Sequence, residues 1–306
     1  MSIEQNGSHA WAEVVAPAKL NLALLVGPVR PDGFHEIASL LVPVTLADRV
    51  TVERTPGAGP DVVCDVAPGE QNLAARMIRA LEARLDCGFE VRVTIAKSIP
   101  EGAGLGGGSS DAAATLTALE RLYHLDLPAR LRHEAAMEVG SDVPFFLTTA
   151  PQLAMGRGQV LKEVTLPALH LVIALPDLAL STRTVYGWRD EDATVELGAW
   201  APLARALSGR VQSARTVADV AALVHNDLEP SVAARRPEVA ALIGRLRDLG
   251  ARAAAMTGSG AAVFGMFASQ EAASRARAAL APARAWYVTD LQPAAPAAPR
   301  LRLQPE

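Results

Sequence analysis

Apolar and polar residues alternate over residues 89–96, and a helical repeat follows this segment. Residues 89–96 (FEVRVTIA) alternate and are rich in β-branched side chains, which predicts a half-buried β-strand. Farther along, Ala112, Leu116, Leu119 and Leu122 recur at helical spacing. The pattern therefore predicts a strand, a loop and then a helix.

A second alternating segment lies near the N-terminus. The leucines within residues 20–24 occupy every second position, which predicts a strand that ends at Val26. The Pro-Asp-Gly sequence at 31–33 is typical of a turn, and a second strand is expected from His35. Together these features predict a β-hairpin.

The loop between the strand at 89–96 and the following helix is rich in glycine. Five of the seven residues from Gly102 to Gly108 are glycine. Because glycine costs backbone entropy and has no side chain to pack, no ordinary packed element tolerates this density. Ser109 or Ser110 is the expected N-cap of the helix. Free N–H groups at a positive helix end, with no β-carbons to keep a phosphate away, predict an anion-binding site.

Three kinds of phosphate loop compete for this segment. A Walker A loop needs a lysine where Gly108 stands, so it is excluded. The dinucleotide fingerprint is met by Gly102, Gly104 and Gly107, but KSIPEG separates it from the strand, and an isolated match is weak. The third pattern, P-x-G-x-G-L-G-G-G-S-S, is met by residues 100–110. By this pattern the segment resembles the phosphate loop of the GHMP kinases. These are small-molecule kinases named after galactokinase, homoserine kinase, mevalonate kinase and phosphomevalonate kinase. A flexible turn is the simpler alternative, but a turn needs only one or two glycines.

The composition narrows the class of protein. With 306 residues the chain is long enough for two modest domains. Half of the residues are hydrophobic and the net charge is −4, so we expect a globular protein without the basic surface that nucleic acids need. No apolar run is long enough to span a membrane, and the N-terminus lacks the order of a signal peptide. Cys64 and Cys87 form neither a metal-binding spacing nor a disulfide framework, which fits a reducing cytoplasm.

Lysine and asparagine are scarce. Of 29 basic residues only Lys19, Lys97 and Lys162 are lysine. Because an ammonium group is a compact point charge and a guanidinium is planar, we expect lysine to be retained mainly where arginine cannot substitute. Lys19 and Asn21 would lie on the strand face opposite the leucines, although a lone lysine on a strand is usually a solvated side chain. The asparagines are Asn6, Asn21, Asn72 and Asn226.

Two further segments have a plain structural interpretation. Asp142 precedes Val-Pro-Phe-Phe, which is typical of a helix N-cap followed by proline in the first turn. Residues 257–260 (TGSG) precede a strand-like segment and predict a tight turn. The alternative for the second segment is another glycine loop close to the phosphates.

Taken together, the motifs resemble those of the GHMP kinases that act on a cytidine diphosphate-linked methylerythritol. The resemblance spans about residues 15–267. The glycine loop and the final GSG are shared by the whole superfamily, whereas PAKLNL, RPDG-x-H and G-x-DVPFF are specific to this branch. Phe34 departs from the usual tyrosine, so the ring is kept and a phenol hydrogen bond is lost. The motifs are, in order, PAKLNL, RPDGFHE, QNL, PEGAGLGGGSSDAA, GSDVPFF, GRG, STRTVY, HNDLE and GSGAAVF.

The resemblance implies an α+β fold of the two-domain GHMP kinase type. The N-terminal ATP-binding domain would comprise residues 1–162 and the C-terminal substrate domain residues 163–292, with the active site in the cleft. Residues 293–306 are expected to form a frayed, proline-rich tail. ATP would be the phosphoryl donor, and Mg²⁺ would enter with the nucleotide rather than at a metal site of the protein. We expect a small-molecule substrate, no nucleic-acid or membrane partner, and either a monomer or a homodimer.

The resemblance also assigns the site residues. Asp142 would take the proton from the substrate hydroxyl, and Lys19 would keep Asp142 ionised and stabilise the forming alkoxide. Phe34 and Tyr186 would enclose the cytosine, and His35 would recognise its polar edge. The remaining substrate-binding residues would be Asn21 and Thr184. ATP would be bound by Asn72, near the adenine, and by Lys97, Pro100, Gly102, Gly104, Leu105, Gly106, Gly107, Gly108, Ser109 and Ser110.

Two other functions stay open at this point. One is another GHMP kinase, acting on homoserine or a mevalonate, which the glycine loop cannot exclude, although a small aliphatic substrate needs no aromatic clamp. The other is an NAD- or nucleotide-binding protein without turnover, which gives no role to Asp142 or Lys19. ADP release from ATP, with and without the cytidyl substrate, distinguishes them.

Overall fold

The computed structural model describes residues 10–65, 69–192, 197–280, 287–290 and 301–302 of the chain. No helix within these ranges is long and apolar enough to cross a membrane. The strands are β1 (Trp11–Val29), β2 (His35–Arg54), β3 (Asp61–Val63), β4 (Val91–Ala96), β5 (Gln152–Gly156), β6 (Val160–Glu163), β7 (His170–Ala174), β8 (His225–Asn226), β9 (Ala253–Met256), β10 (Val263–Phe267), β11 (Tyr287–Asp290) and β12 (Leu301–Arg302). The α-helices are α1 (Leu73–Leu85), α2 (Gly107–Leu122), α3 (Ala129–Val139), α4 (Thr182–Asp192), α5 (Leu197–Ser213), α6 (Val217–Ala221), α7 (Glu229–Arg235), α8 (Pro237–Asp248) and α9 (Gln270–Leu280), and two 3-10 helices span Gly69–Gln71 and Val143–Leu147.

The described part of the chain begins with the predicted hairpin. Strands β1 and β2 pair antiparallel along most of their length, and the turn lies at the expected Pro-Asp-Gly sequence, where Gly33 has a positive φ of 82°. The predicted end of the first strand at Val26 is wrong by three residues. After a register shift, Val29 still pairs with His35, because a bulge lets the strand continue past the point where the alternation stops.

Two sheets organise the described residues. The larger one has the order β12-β1-β2-β4-β3, with β5 pairing to β2, β6 to β5, and β8 to β1. The smaller one has the order β11-β7-β10-β9 and is antiparallel throughout. With the helices that cover them, these sheets confirm the expected α+β class.

The hairpin passes from one hydrophobic core to another. Ala16 of β1 belongs to a core in which α1 and α2 pack on the larger sheet. Two residues later, Ala18 belongs to a second core that includes Ile173 and Phe264 of the smaller sheet. A register shift separates Pro17 from Ala18 at this crossing. Lys19 is the next residue, so the fold places its ammonium group where the two cores meet.

The strand–loop–helix prediction is confirmed, but the predicted N-cap is wrong. Strand β4 and helix α2 flank the glycine run as expected. The N-cap is Gly106, with φ 73° and ψ 18°, rather than Ser109 or Ser110. Glycine adopts this left-handed conformation without strain, so the chain turns earlier and the helix includes Gly107 and Gly108. The serines therefore lie inside the first turn.

The expected frayed tail at 293–306 lies outside the described residues except for β12. That strand pairs antiparallel with the start of β1, with Trp11 opposite Arg302 and Ala12 opposite Leu301. The backbone forms a strand pair at these two residues, and the expected fraying of the tail stays a prediction.

Candidate active site

The glycine loop and the start of α2 form an open cavity of about 340 Å³. Residues 99–109 line it together with Leu73 and Lys97. Because α2 begins at Gly107, the N–H groups of its first turn have no acceptor within the helix, and its positive end lies at the cavity. The arrangement suits a bound phosphate.

Two glycines of this loop are required by the space around them. A β-carbon on Gly104, whose φ is 76°, would lie 2.6 Å from the carbonyl oxygen of Thr257. A β-carbon on Gly106 would lie 2.9 Å from Cζ of Phe146 and 3.1 Å from Cγ of Lys19. The distances of 2.6 Å and 2.9 Å are shorter than real contacts allow, and 3.1 Å is tighter than most. The loop therefore lies directly against the second glycine loop and against Lys19.

Lys19 is held by the backbone of the loop and by a neighbouring amide. Its N–H donates to the carbonyl oxygen of Leu105 at 3.0 Å, and its Nζ donates to Oδ1 of Asn21 at 2.5 Å. The side chain is buried. Burial lowers the pKa of Lys19, and the negative charge of Asp142 acts in the opposite direction. The site thus contains a compact cation with little access to water.

Asn21 has a fixed orientation. Its Nδ2 donates to Oγ of Ser39 at 2.8 Å, and that hydroxyl donates to the carbonyl oxygen of Ala23 at 2.7 Å. Its backbone N–H donates to Oγ1 of Thr257 at 2.9 Å. Since Nδ2 is engaged on one side, Oδ1 is turned towards Lys19. The strand position predicted for Lys19 and Asn21 therefore leads to one connected polar site rather than two solvated side chains.

The second glycine loop, residues 257–260, closes this site from the smaller sheet. A β-carbon on Gly258 would lie 3.1 Å from Nζ of Lys19. Nδ2 of Asn226 donates to the carbonyl oxygens of Met256 at 2.8 Å and Gly258 at 2.9 Å. No site role is predicted for Asn226 from the sequence. The sequence signals for this residue are the scarcity of asparagine in the chain and the HNDLE motif around position 226.

Asp142 precedes a 3-10 helix, Val143–Leu147, that carries proline in its first turn. The position is that of an N-cap, as expected, but the carboxylate makes no capping hydrogen bond. The side chain is exposed. Its negative charge raises the pKa of Lys19, against the effect of burial. Burial raises the pKa of Tyr186, and the charge of Asp142 is the second cause of that increase. The carboxylate is therefore not used as a helix cap, and its charge acts on both residues.

Lys97 forms a charged cluster beside the phosphate loop. Its Nζ donates to Oδ2 of Asp48 at 2.6 Å and to Oδ2 of Asp111 at 2.8 Å. The other oxygen of Asp48 accepts from the N–H groups of Ser98 at 2.5 Å and Ile99 at 2.8 Å. The cluster thus fixes the first residues of the loop. It also means that the ammonium group of Lys97 is already paired within the cluster.

The two carboxylates of this cluster were not predicted as site residues. Asp48 is fully buried, and it alternates along β2 with the buried apolar residues Leu46 and Val50. An aspartate at such an inward position is the signal that the sequence offers. Asp111 is 2% exposed, and its Oδ1 has no hydrogen-bond partner among the described residues. Burial raises the pKa of Asp111 to about 7; Lys97 lowers it and Asp48 adds to the increase. The cluster therefore holds a proton near neutral pH.

Asn72 and the two serines occupy different places. Asn72 is buried and caps α1, where its Oδ1 accepts from the N–H of Ala74 at 2.9 Å. Ser109 lines the phosphate-loop cavity. Ser110, by contrast, lines a separate cavity along α2 and not the one formed by the loop. Of the predicted ATP-binding residues, Asn72 and Ser110 therefore do not line the phosphate-loop cavity.

The predicted substrate-binding rings lie around the turn of the hairpin and the start of α4. Phe34 is 49% exposed, and the guanidinium of Arg157 lies 5.0 Å from its ring centroid. The rings of His35 and Tyr186 have centroids 5.0 Å apart at 43°. Nε2 of His35 lies 2.9 Å from Oδ1 of Asp190. The aromatic ring that contacts Tyr186 in this structure is thus that of His35.

Thr184 lies in the first turn of α4. Its Oγ1 is 2.7 Å from Oγ of Ser181, which also accepts its backbone N–H at 3.1 Å. The adjacent Thr182 has its Oγ1 3.0 Å from Oγ of Ser259. The start of α4 is therefore tied to the second glycine loop, and Thr184 stays exposed.

Known proteins match the chain over most of its length. Residues 72–149 match the GHMP kinases N terminal domain and residues 204–284 match the GHMP kinases C terminal. A protein of Anaeromyxobacter dehalogenans named 4-diphosphocytidyl-2-C-methyl-D-erythritol kinase is 43% identical over 274 residues, which are 87% of this chain and 84% of that protein. The chain belongs to this kinase family. A family member from Citrifermentans bemidjiense is 38% identical over 281 residues, 90% of this chain and 96% of the relative.

Solved structures agree with the family. A crystal structure of 4-(cytidine 5'-diphospho)-2C-methyl-D-erythritol kinase is 36% identical, covers 91% of this chain and 98% of its own, and has a TM-score of 0.75. Homoserine kinase from Cytophaga hutchinsonii has a TM-score of 0.73 at 16% identity, covering 99% of this chain and 100% of its own, which shows the fold alone. The expected GHMP kinase fold and the expected kinase class are confirmed. The boundary at residue 162 and the roles of the site residues stay predictions.

Proposed function

We propose that the protein transfers the γ-phosphoryl group of ATP to the 2-hydroxyl of 4-diphosphocytidyl-2-C-methyl-D-erythritol. The products would be the 2-phosphate and ADP, within the non-mevalonate route to isoprenoid precursors. Membership of a family whose relatives carry this name supports the proposal. So does a site that joins an anion-binding loop to a free carboxylate and a buried ammonium group.

The observation that carries the proposal is the position of Lys19. Its side chain touches the phosphate loop at Gly106 and approaches the second loop at Gly258. The negative charge of Asp142 also raises the pKa of Lys19. A cation between a phosphate cradle and a carboxylate base is what phosphoryl transfer to an alcohol needs, because this reaction depends mostly on positioning and charge neutralisation.

In the proposed reaction the substrate hydroxyl gives its proton to the carboxylate of Asp142. The hydroxyl oxygen forms a bond to the γ-phosphorus, while the bond from this phosphorus to the β,γ-bridging oxygen breaks and ADP leaves. Lys19 stabilises the negative charge on the attacking oxygen and on the transferring group. Asn21 holds the ammonium group in place through the hydrogen bond to its Oδ1.

ATP would be placed in the cavity of the glycine loop. The N–H groups at the start of α2 and the positive helix end would bind its phosphates, and residues 100–109 would form the cradle. Asn72, which caps the neighbouring helix α1, would lie near the adenine. Lys97 would act mainly through the backbone that its cluster fixes, since two carboxylates already pair with its charge.

Mg²⁺ is part of the proposal as a companion of the nucleotide. The cavity offers the hydroxyl of Ser109 and the exposed carboxylate of Glu101, which are oxygen donors of the kind that Mg²⁺ takes. Most of its ligands would be phosphate oxygens and water. When bound, Mg²⁺ supplies neutralisation of the phosphate charge.

The cytidine end of the substrate would bind near the hairpin turn. Phe34 and Tyr186 would cover the faces of the cytosine ring, and His35 and Thr184 would contact its polar groups. The polar pairing of His35 with Asp190 would orient the imidazole for this contact.

We place the reaction in the cytoplasm, in keeping with the free thiols of Cys64 and Cys87.

The experiment that tests the function is an assay of ADP release with purified protein, ATP and Mg²⁺. We expect turnover with 4-diphosphocytidyl-2-C-methyl-D-erythritol and only background rates with mevalonate, homoserine or no acceptor. The product should carry one phosphate more than the substrate by mass spectrometry. Equal or faster turnover of mevalonate or homoserine would overturn the proposed substrate. ATP binding without turnover of any acceptor would overturn the proposed phosphoryl transfer.

A further inference from the structure

A second and larger cavity, of about 650 Å³, shares no lining residue with the cavity of the phosphate loop. One stripe of α2 forms a wall, with Ser110, Ala114, Thr117 and Arg121 at successive intervals of four, three and four residues. These spacings fall on a single helix face. From Ser110 to Arg121 the wall extends roughly 16 Å at the rise of an α-helix. The cavity is therefore elongated along α2.

Most of this cavity is apolar. Val14 and Ala16 of β1, Val44 of β2, and Phe146 and Leu147 of the 3-10 helix line it together with Ala114. Its volume lies in the range of pockets that bind small molecules. An apolar body can therefore fill the middle of the cavity and remove its walls from water.

One end of the cavity contains a polar atom without a partner. Ser110 is 1% exposed, and its Oγ makes no hydrogen bond within the described part of the chain. A buried hydroxyl without a partner is unfavourable, because nothing replaces the hydrogen bonds that it makes with water in the unfolded chain. An oxygen of a bound molecule at this end would satisfy it.

The other end of the cavity is positively charged. Arg121 makes no ion pair and no side-chain hydrogen bond to any described residue. Arg132 also lines the cavity, and its Nε lies 3.2 Å from Oε1 of Glu120. The acidic residue that lines the cavity is Glu163, which is exposed on β6. Two arginines, one of them unpaired, favour a carboxylate or phosphate group at this end.

We propose that this cavity binds an elongated amphiphilic anion, with an acidic head group at Arg121 and Arg132 and an oxygen at the opposite end of its apolar body, next to Ser110. The site is separate from that of the kinase reaction. It accounts for three features that the proposed kinase function does not use: the arginine without an ion pair to the described residues, the buried hydroxyl and the apolar middle of the cavity.

Calorimetric titration of the full chain tests the proposal with matched probes below their micelle-forming concentrations. 10-Hydroxydecanoate and 10-hydroxydecyl phosphate carry both polar ends, and comparing them distinguishes the two head groups. Decanoate lacks the terminal hydroxyl, and 1,10-decanediol lacks the charge. We expect saturable binding of one equivalent, weaker by about three- to tenfold for decanoate and by about tenfold or more for the diol. A saturating non-hydrolysable ATP analogue should leave this binding in place.

Variants locate the site. Arg121→Gln combined with Arg132→Gln should weaken 10-hydroxydecanoate by about tenfold or more. Arg130→Gln is the matched control, because this arginine is 89% exposed and pairs with Glu134. Ser110→Ala should remove the preference for 10-hydroxydecanoate over decanoate. Thr117→Trp, which fills the cavity, should abolish binding, with a melting curve to show that the protein is folded.

Three results would each overturn the proposal. They are the absence of saturable binding, displacement by the ATP analogue, and equal affinities in the arginine variants and in Arg130→Gln. None of them bears on the kinase reaction, which a separate assay measures.

Discussion

Nζ of Lys19 donates a hydrogen bond of 2.5 Å to Oδ1 of Asn21, and each of these residues is 5% exposed. The lysine stem lies against Gly106 and its ammonium group against Gly258, so that a β-carbon on either glycine would approach it to 3.1 Å. The space therefore suits a narrow stem with a point charge. A planar guanidinium is larger and spreads its donors over a fork.

We accordingly expect Lys19→Arg to lower kcat by about 10²–10³-fold, the range seen when one electrostatic contact to a transition state is lost. Lys162→Arg is the control, because Lys162 is exposed on β6 and its exchange should leave kcat unchanged. Initial rates and melting curves of both variants are the measurements. If the two variants had the same kcat, the retention of lysine at position 19 would have no chemical meaning.

The carboxylate of Asp142 is exposed and makes no capping hydrogen bond. Asp142→Asn should therefore keep the melting temperature and lower kcat by about 10²–10⁴-fold, as expected for the loss of a general base. Asp126→Asn changes an exposed residue elsewhere. It is the matched control and should leave kcat unchanged. A near-normal kcat for Asp142→Asn would leave the aspartate as a helix-start residue only.

Gly106 is the glycine whose substitution should disturb the phosphate loop most directly. Its φ is 73°, and an added methyl group would meet Phe146 at 2.9 Å. Gly106→Ala should shift the loop and the start of α2, and displacements of about 1 Å at a reacting centre lower rates by about 10²-fold. We expect a higher KM for ATP as well as a lower kcat.

Gly209→Ala provides the control for the added methyl group. Gly209 lies in helix α5 with open space around its β-carbon position, so kinetics should not change. An unchanged KM for ATP in a folded Gly106→Ala protein would show that this loop does not hold the nucleotide.

The cluster of Asp48, Lys97 and Asp111 makes stability depend on pH. Two carboxylates and one ammonium carry a net charge of −1 when all are ionised, and burial raises the pKa of Asp111 from 3.8 to about 7. Between these two values the folded chain binds the proton and the unfolded chain releases it. The free energy of unfolding contributed by Asp111 therefore falls as the pH rises from about 4 to about 7.

Asp111→Asn should remove this dependence, because an amide has no proton to lose. Melting temperatures measured from pH 5 to pH 8 should fall with pH in the wild type relative to the variant. Asp61→Asn is the control, since Asp61 is exposed and forms a surface pair with Arg92. Parallel curves for the wild type and Asp111→Asn would mean that Lys97 keeps Asp111 ionised throughout.

Much of the fold could be predicted from the sequence because local patterns dictate it. The alternation in β1 and β4, the glycine-rich loop and the Pro-Asp-Gly turn each require a particular backbone. The start of α2 was misplaced because serine is the commoner N-cap, whereas Gly106 already supplies the required left-handed conformation.

The candidate site was less predictable because it is assembled from distant segments. Scarcity of lysine and asparagine pointed to Lys19, Lys97 and Asn226, but no local pattern shows that Asn226 holds the second glycine loop through Met256 and Gly258. The pairing of Lys97 with Asp48 crosses 49 residues. Such contacts follow from tertiary packing, which a repeat along the chain does not encode.

Phe34 and Tyr186 are proposed to select the substrate through its cytosine ring. Phe34 is 49% exposed, so it is not an ordinary core residue, and Phe34→Ala should leave the melting temperature unchanged. Tyr186 is half-buried against His35, so Tyr186→Phe, which keeps the ring, controls for packing in Tyr186→Ala. Phe34→Tyr is the corresponding conservative change at the other ring.

Stacking of one base is worth roughly 1–3 kcal/mol by alanine substitution, or about one to two decades of affinity. Phe34→Ala and Tyr186→Ala should each raise KM for the cytidyl substrate by that order and leave KM for ATP nearly unchanged. Phe34→Tyr and Tyr186→Phe should behave almost like the wild type, because a ring is present at both positions. The measurements are both Michaelis constants and a melting curve for each variant. If KM for ATP and for the cytidyl substrate rose together, or if the conservative changes were as harmful as alanine, the rings would support the structure of the site and would not select the base.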